Sequence, residues 1–153
     1  PLLELMVEER WEKLGPTRHA IGQGLAWVVI ALPLVVQLFL SADAVHRALG
    51  VVVGGVMMNL LLLHIFPVMT KGGIALVFYR GKIRRVQLQD VASVGTVGSR
   101  AVKFAGDVVR VRMQGGASFR VRSTFSGNYP EVDRAAQWLR NRIDDHIESD
   151  TAA

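Results

Sequence analysis

Hydrophobic and polar positions change their rhythm three times along the chain. From 20 to 40 the run AIGQGLAWVVIALPLVVQLFL carries no charged residue, and from 48 to 69 ALGVVVGGVMMNLLLLHIFPVM again carries none. An apolar helix of about 20 residues crosses the roughly 30 Å hydrocarbon core of a bilayer. The two runs therefore predict a transmembrane hairpin over 20–69, and the short link SADAVHR makes its helices antiparallel neighbours. An acidic segment precedes the first run, where a cleaved signal peptide would carry basic residues, so both runs read as retained spans. Pro33 removes a backbone donor in the middle of the first.

After Lys71 the period drops to two. IALVFY (74–79), KIRRVQL (82–88), VASVGTV (91–97), AVKF (101–104), VVRVRM (108–113) and SFRVRS (118–123) read as short strands separated by Gly, Ser and Asp, with Arg80-Gly81 as a turn. Beyond SGNYPE the spacing becomes helical. Val132, Ala135, Ala136, Leu139, Ile143 and Ile147 form one apolar stripe, which requires a surface to cover. The closing stretch 148–153 reads as a disordered tail. At the other end, LLELMVEERWEKL sets Leu3, Val7, Trp11 and Leu14 at helical spacing, predicting an amphipathic juxtamembrane helix within 1–19 that Gly15-Pro16 breaks. Its face carries Glu4, Glu8, Glu9 and Glu12, which suits a protein neighbour better than a lipid surface. The fold class expected is thus an α+β membrane protein, a two-helix transmembrane hairpin followed by a small antiparallel β-barrel or sheet over 72–147 with a C-terminal capping helix.

Charge orients this arrangement. Arg10, Lys13 and Arg18 precede the first span, and Lys71, Arg80, Lys82, Arg84 and Arg85 follow the second. The link between the spans holds only Arg47. Under the positive-inside rule both termini face the cytoplasm. The net charge of +5 is unevenly spread, since 14 Lys/Arg against 8 Asp/Glu fall within 70–153. That places the basic part beside anionic lipid, where each nearby cation contributes about 1 kcal/mol of attraction. Cysteine is absent, which excludes disulfides, thiolate chemistry and cysteine metal sites.

Within RVRMQGGASFRVRS the cations form a comb. If Val109, Val111 and Met113 point inward together with Phe119 and Val121, paired positions must sum to an even number, so the loop holds three or five residues, as in Gln114-Gly115-Gly116 with a left-handed glycine. Arg110, Arg112, Arg120 and Arg122 then share one outward face. Like charges opposed across a ladder cost a few tenths to about 1 kcal/mol, and something anionic relieves them. Lipid phosphate and an acidic protein partner are the two ligands expected at these four residues and at Arg84 and Arg85, against a face that is merely solvated. Nucleic acid is not expected, because no aromatic stacking residues are interleaved with the arginines.

A strand, the RGK turn, the stretch IRRVQLQDVASV, a basic hairpin and one closing helix together resemble the bacterial pleckstrin-homology-like domains that are attached to membrane helix pairs. The resemblance covers 72–147. It implies a small β-barrel at the inner face of a bacterial cytoplasmic membrane. Within that range the strands are one fewer than the fold requires, implying a barrel left incomplete or closed by a partner.

Catalytic signatures are missing: there is no GxSxG, HExxH, GxxxxGK[ST] or GxGxxG. The expectation is a non-enzymatic protein without a cofactor. In the spans, Gly50 with Gly54 and Ala20 with Gly24 form small-xxx-small pairs for close helix packing, either within the hairpin or against a foreign helix. His64 lies inside an apolar run, where an imidazole can ligate a haem or a bacteriochlorophyll magnesium. Asn59 and Gln37 read as interhelical hydrogen-bonding residues. Three functions are consistent with these features: an accessory or assembly subunit of a larger integral membrane complex, docked through its spans and basic domain; a free-standing binder of anionic phospholipid; and a pigment- or haem-ligating subunit through His64.

Overall fold

Two apolar helices rise from a small two-sheet domain and return to it. The computed structural model describes residues 11–101 and 104–152. Helix α1 (Arg18–Phe39) and helix α2 (Ala44–Ile65) each have 22 residues and are long and apolar enough to cross a membrane. Most of their side chains, Val29, Ile30, Val45 and Val52 among them, are exposed instead of packed inside the protein. Side-chain caps fix where each begins. Thr17 Oγ1 accepts from Ala20 N at 3.1 Å, and Asp43 Oδ1 accepts from Val45 N at 3.0 Å. The end of α2 is set by Pro67, which has no N–H and drives the preceding Phe66 into extended backbone (φ −68, ψ 122).

The strands on either side of this hairpin pair with each other. Strand β1 (Glu12–Leu14) runs antiparallel to β2 (Val68–Lys71), with Glu12 opposite Thr70 and Leu14 opposite Val68. Strands β3 (Ile74–Tyr79) and β4 (Lys82–Gln87) complete a four-stranded sheet in the order β1-β2-β3-β4. A 3₁₀ turn at Leu88–Asp90 leads to β5 (Val91–Ala101), β6 (Phe104–Met113) and β7 (Ser118–Ser126), a three-stranded antiparallel sheet. No ladder joins the two sheets among the described residues, so no closed barrel forms. Between them lies one core: Val68, Val77 and Val86 from the first sheet, Val109, Val111, Phe119 and Val121 from the second, and the stripe Val132, Ala135, Ala136, Leu139 and Ile143 of helix α3 (Tyr129–Ala152).

A second set of contacts fixes this domain to the helix pair. Thr17 N donates to Ser123 O at 2.9 Å, and the Thr17 hydroxyl donates to Phe125 O. Ser126, fully buried, donates to Glu131 Oε2 at 2.6 Å and meets His19 Nδ1 at 3.0 Å. These bonds tie the start of α1, the end of β7 and the start of α3. From the other side, Arg142 of α3 pairs with Glu12 of β1.

Several expectations are corrected by this architecture. Glu12–Leu14 is a strand where an amphipathic helix was expected, because its backbone pairs with β2, a partner distant in sequence; positions 1–10 of that expected helix lie outside the described residues. The sheet thus begins before the hairpin and does not simply follow it. Val68 and Met69, expected at the end of the second span, belong to β2, since Pro67 has already ended the helix. Ala101 ends β5 and Phe104 begins β6, so these two residues, expected within one separate strand, belong to two different strands; Val102 and Lys103 between them lie outside the described residues. The tail expected to be disordered continues α3 to Ala152, supported by Ser149 Oγ donating to His146 O and Thr151 Oγ1 donating to Ile147 O, both at 2.7 Å.

Candidate functional site

The comb hairpin has the even register required by two inward faces. Val111 pairs with Phe119 and Val109 with Val121 on the buried side; Arg110 stands directly opposite Arg120, and Arg112 opposite Ser118. Gln114, Gly115 and Gly116 form the three-residue loop, with Gly116 at φ 84. A register shift between Asp107 and Val109 interrupts the ladder, and Thr124 occupies the break: its hydroxyl accepts from Val109 N at 2.9 Å and donates to Val121 O at 2.7 Å.

Three of the four comb arginines meet one cavity. Arg110, Arg120 and Arg122, with Ser118 and Phe119, line a cavity of about 440 Å³ whose opposite wall is Asn59 and Leu63 of α2. Tyr79 and Arg80, at the β3–β4 turn, complete it. Among the described residues, no acidic side chain is in this lining. Arg110 Nη2 donates to Ser118 Oγ at 3.0 Å. Burial lowers the pKa of the Arg122 guanidinium, and the charge of Arg120 lowers it further, so cations are crowded here against their own repulsion.

The turn that brings Arg80 in is itself strained. Tyr79 pairs with Lys82, leaving Arg80-Gly81 as a two-residue hairpin loop in which both residues are left-handed, at φ 48 and φ 82. Asn or Gly is the ordinary choice at the first position, and a non-glycine residue held there costs on the order of 1 kcal/mol. The guanidinium of Arg80 lies 5.3 Å from the Tyr79 ring centroid. Tyr79 in turn packs on Phe119 at 5.6 Å, and Arg84 lies over both rings, at 5.7 and 5.4 Å.

No protein-family model and no curated protein matches this chain.

The remaining expected site residues are dispersed. Arg112 is exposed on the comb face but outside the cavity lining, Arg84 stacks on the aromatic pair, and Arg85 is on the opposite face of its sheet, paired with Leu76. Gly24, Gly50 and Gly54 all face the other helix of the hairpin: a Cβ on Gly24 would be 3.3 Å from His64 Cβ, one on Gly50 would be 3.1 Å from Leu38, and one on Gly54 would be 3.7 Å from Val35. Ala20 is fully buried. His64 is buried, and its Nδ1–H donates to Leu60 O, one turn earlier, at 2.7 Å. Gln37 is exposed, and Asn59 belongs to the cavity. Among the described residues, no three His, Cys, Asp or Glu side chains are grouped to hold a metal ion. Sequence reasoning missed Arg80, Tyr79 and Asn59 as site residues. The one signal for the first was an arginine in a two-residue turn position that favours asparagine.

Proposed function

We propose that this chain is a non-enzymatic, membrane-anchored binder of anionic phospholipid, held in a bacterial cytoplasmic membrane by α1 and α2 with the sheet domain on the cytoplasmic side. The observation that carries this reading is the convergence of Arg80, Arg110, Arg120 and Arg122 on one cavity whose far wall belongs to an apolar helix. Four guanidiniums converging on one cavity favour an anion. A ligand that touches both this cluster and the flank of α2 is amphiphilic, with its phosphate on the arginines and its acyl chains along the helix. The exposed apolar surfaces of α1 and α2 support their burial in lipid. Four strands, then three, then one helix is also the element order of a pleckstrin-homology-like domain, with the helix pair inserted between its first two strands. On that reading β1 and β2 supply the strands lacking from 72–147.

The chain reconstituted into nanodiscs of mixed zwitterionic and anionic lipid tests this. Stepwise delipidation should leave anionic lipid enriched among the last molecules removed. Retention in simple proportion to the starting composition would exclude a headgroup site. Loss of anionic enrichment together with stable co-elution of an integral membrane complex would select the accessory-subunit reading instead.

A further inference from the structure

One polar side chain stands where the exposed apolar surface of α2 ends. Positions 48–58 carry no polar side chain, and Leu49, Val51, Val52, Val56 and Met58 among them are exposed. Asn59 follows, also exposed, six residues before the end of α2 at Ile65, or about 9 Å of helix. Among the described residues its carboxamide makes no hydrogen bond. An amide without a partner is costly wherever water is excluded.

The β3–β4 turn marks the height of this residue. Gly81, left-handed at φ 82, is seated against it: a Cβ at 81 would be 2.6 Å from Asn59 Nδ2. Arg80 and Lys82, on either side of that glycine, are exposed. On a spanning α2 the level of Asn59 is therefore the level at which cations meet lipid phosphate, and Met58, one residue back, already belongs to the apolar surface. In a diacyl glycerophospholipid the ester carbonyls lie between the phosphate and the chains, at this same border. Asn59 also lines the arginine cavity, on the wall opposite Arg110 and Arg120.

We propose that Asn59 is the specificity-determining residue of the arginine cavity, donating from Nδ2 to an acyl ester carbonyl of a lipid whose phosphate lies on the guanidiniums. The inference rests on the reading of that cavity as a phospholipid headgroup site, and it names the ligand class: a diacyl glycerophosphate, in preference to free phosphate or to a lipid phosphate without ester groups. A carboxamide nitrogen offers two donors, and an ester carbonyl is an acceptor only. An ether oxygen in the same place is a poorer acceptor. A site built to hydrogen-bond one group of its ligand discriminates against an analogue lacking that group, because its own polar atom is then left unpaired.

Titration of the detergent-solubilised chain with a short-chain diacyl phosphatidic acid, with the dialkyl ether analogue of equal chain length and with inorganic phosphate tests this. The diacyl lipid should bind about tenfold more tightly than the dialkyl lipid, a factor that one hydrogen bond supplies. Inorganic phosphate should show no saturable binding at the same concentrations. Asn59→Leu should bring the affinity for the diacyl lipid down to that for the dialkyl lipid and leave the latter unchanged. Equal affinity for the two lipids in the unaltered chain, a comparison that needs no variant, would overturn the role of Asn59 while leaving a lipid phosphate site in place, and so would a preference that survives Asn59→Leu. Inorganic phosphate binding as tightly as either lipid would show that the site reads phosphate alone. Binding of neither lipid, or binding unaffected by Arg110→Gln and Arg120→Gln, would remove the headgroup site and this inference together.

Discussion

Replacing Arg80, Arg110, Arg120 and Arg122 together by Gln should abolish measurable binding of a short-chain phosphatidic acid, titrated into the detergent-solubilised chain. At about 1 kcal/mol per cation near an anionic surface, four cations amount to about 4 kcal/mol. That is nearly a thousandfold in affinity at low salt, since about 1.4 kcal/mol is tenfold. The effect should shrink toward physiological ionic strength, where the Debye length is about 8 Å. Per charge removed, Arg112→Gln and Arg85→Gln, which lie outside the cavity lining, should alter affinity far less than the cavity arginines. Thermal stability should hold or rise in the single variant Arg120→Gln, because the direct opposition of Arg110 and Arg120 is removed. Equal losses from cavity and non-cavity arginines would mean that the domain responds to bulk charge and has no site.

Gly106→Val should strongly destabilise the sheet domain. A Cβ at 106 would be 2.7 Å from the Phe125 ring and 2.7 Å from the backbone oxygen of Ser126. The ring can rotate away; the carbonyl cannot, because Ser126 is held by β7 and by its bond to Glu131. Overpacking of this kind costs about 1–3 kcal/mol, and more where backbone must shift. Domains of this size have only about 5–15 kcal/mol in total. Denaturant titration followed by Trp138 fluorescence should show a clearly lowered midpoint. Phe125→Ala, itself costing about 3–5 kcal/mol through the cavity it leaves, should recover only part of the Gly106→Val loss in the double variant, because the Ser126 clash persists. A double variant as stable as Phe125→Ala alone would show that the ring, and not the backbone, sets the limit at 106.

Much of this architecture is legible in single residues, and the gaps share one cause. The two apolar helices declare themselves by an absence of charge, and α3 by its stripe from Val132 to Ile143, because both signals are local. The register of the comb hairpin follows from parity alone, since one slipped residue would turn Phe119 out and Arg120 in. Strand β1 is hidden because three residues, Glu12–Leu14, also fit a helical spacing, and only pairing with Val68–Thr70 across the whole hairpin makes them a strand. The same long-range pairing conceals Val68 and Met69 within an apolar run. In the cavity, the comb arginines are visible as a pattern, but nothing local announces that Asn59 stands opposite them or that Arg80 is held left-handed beside Tyr79.

Cysteine-scanning from the two sides of the membrane is the most direct test of the proposal that α1 and α2 cross the bilayer and hold the arginine face at its inner surface. Ala42→Cys, in the link between the helices, and Asp144→Cys, on the exposed side of α3, are each treated with a membrane-impermeant maleimide in spheroplasts. The residue at 42 should be labelled in intact spheroplasts, and the one at 144 only after permeabilisation. Labelling at 144 without permeabilisation, or recovery of the unmodified chain in the soluble fraction after lysis, would contradict it.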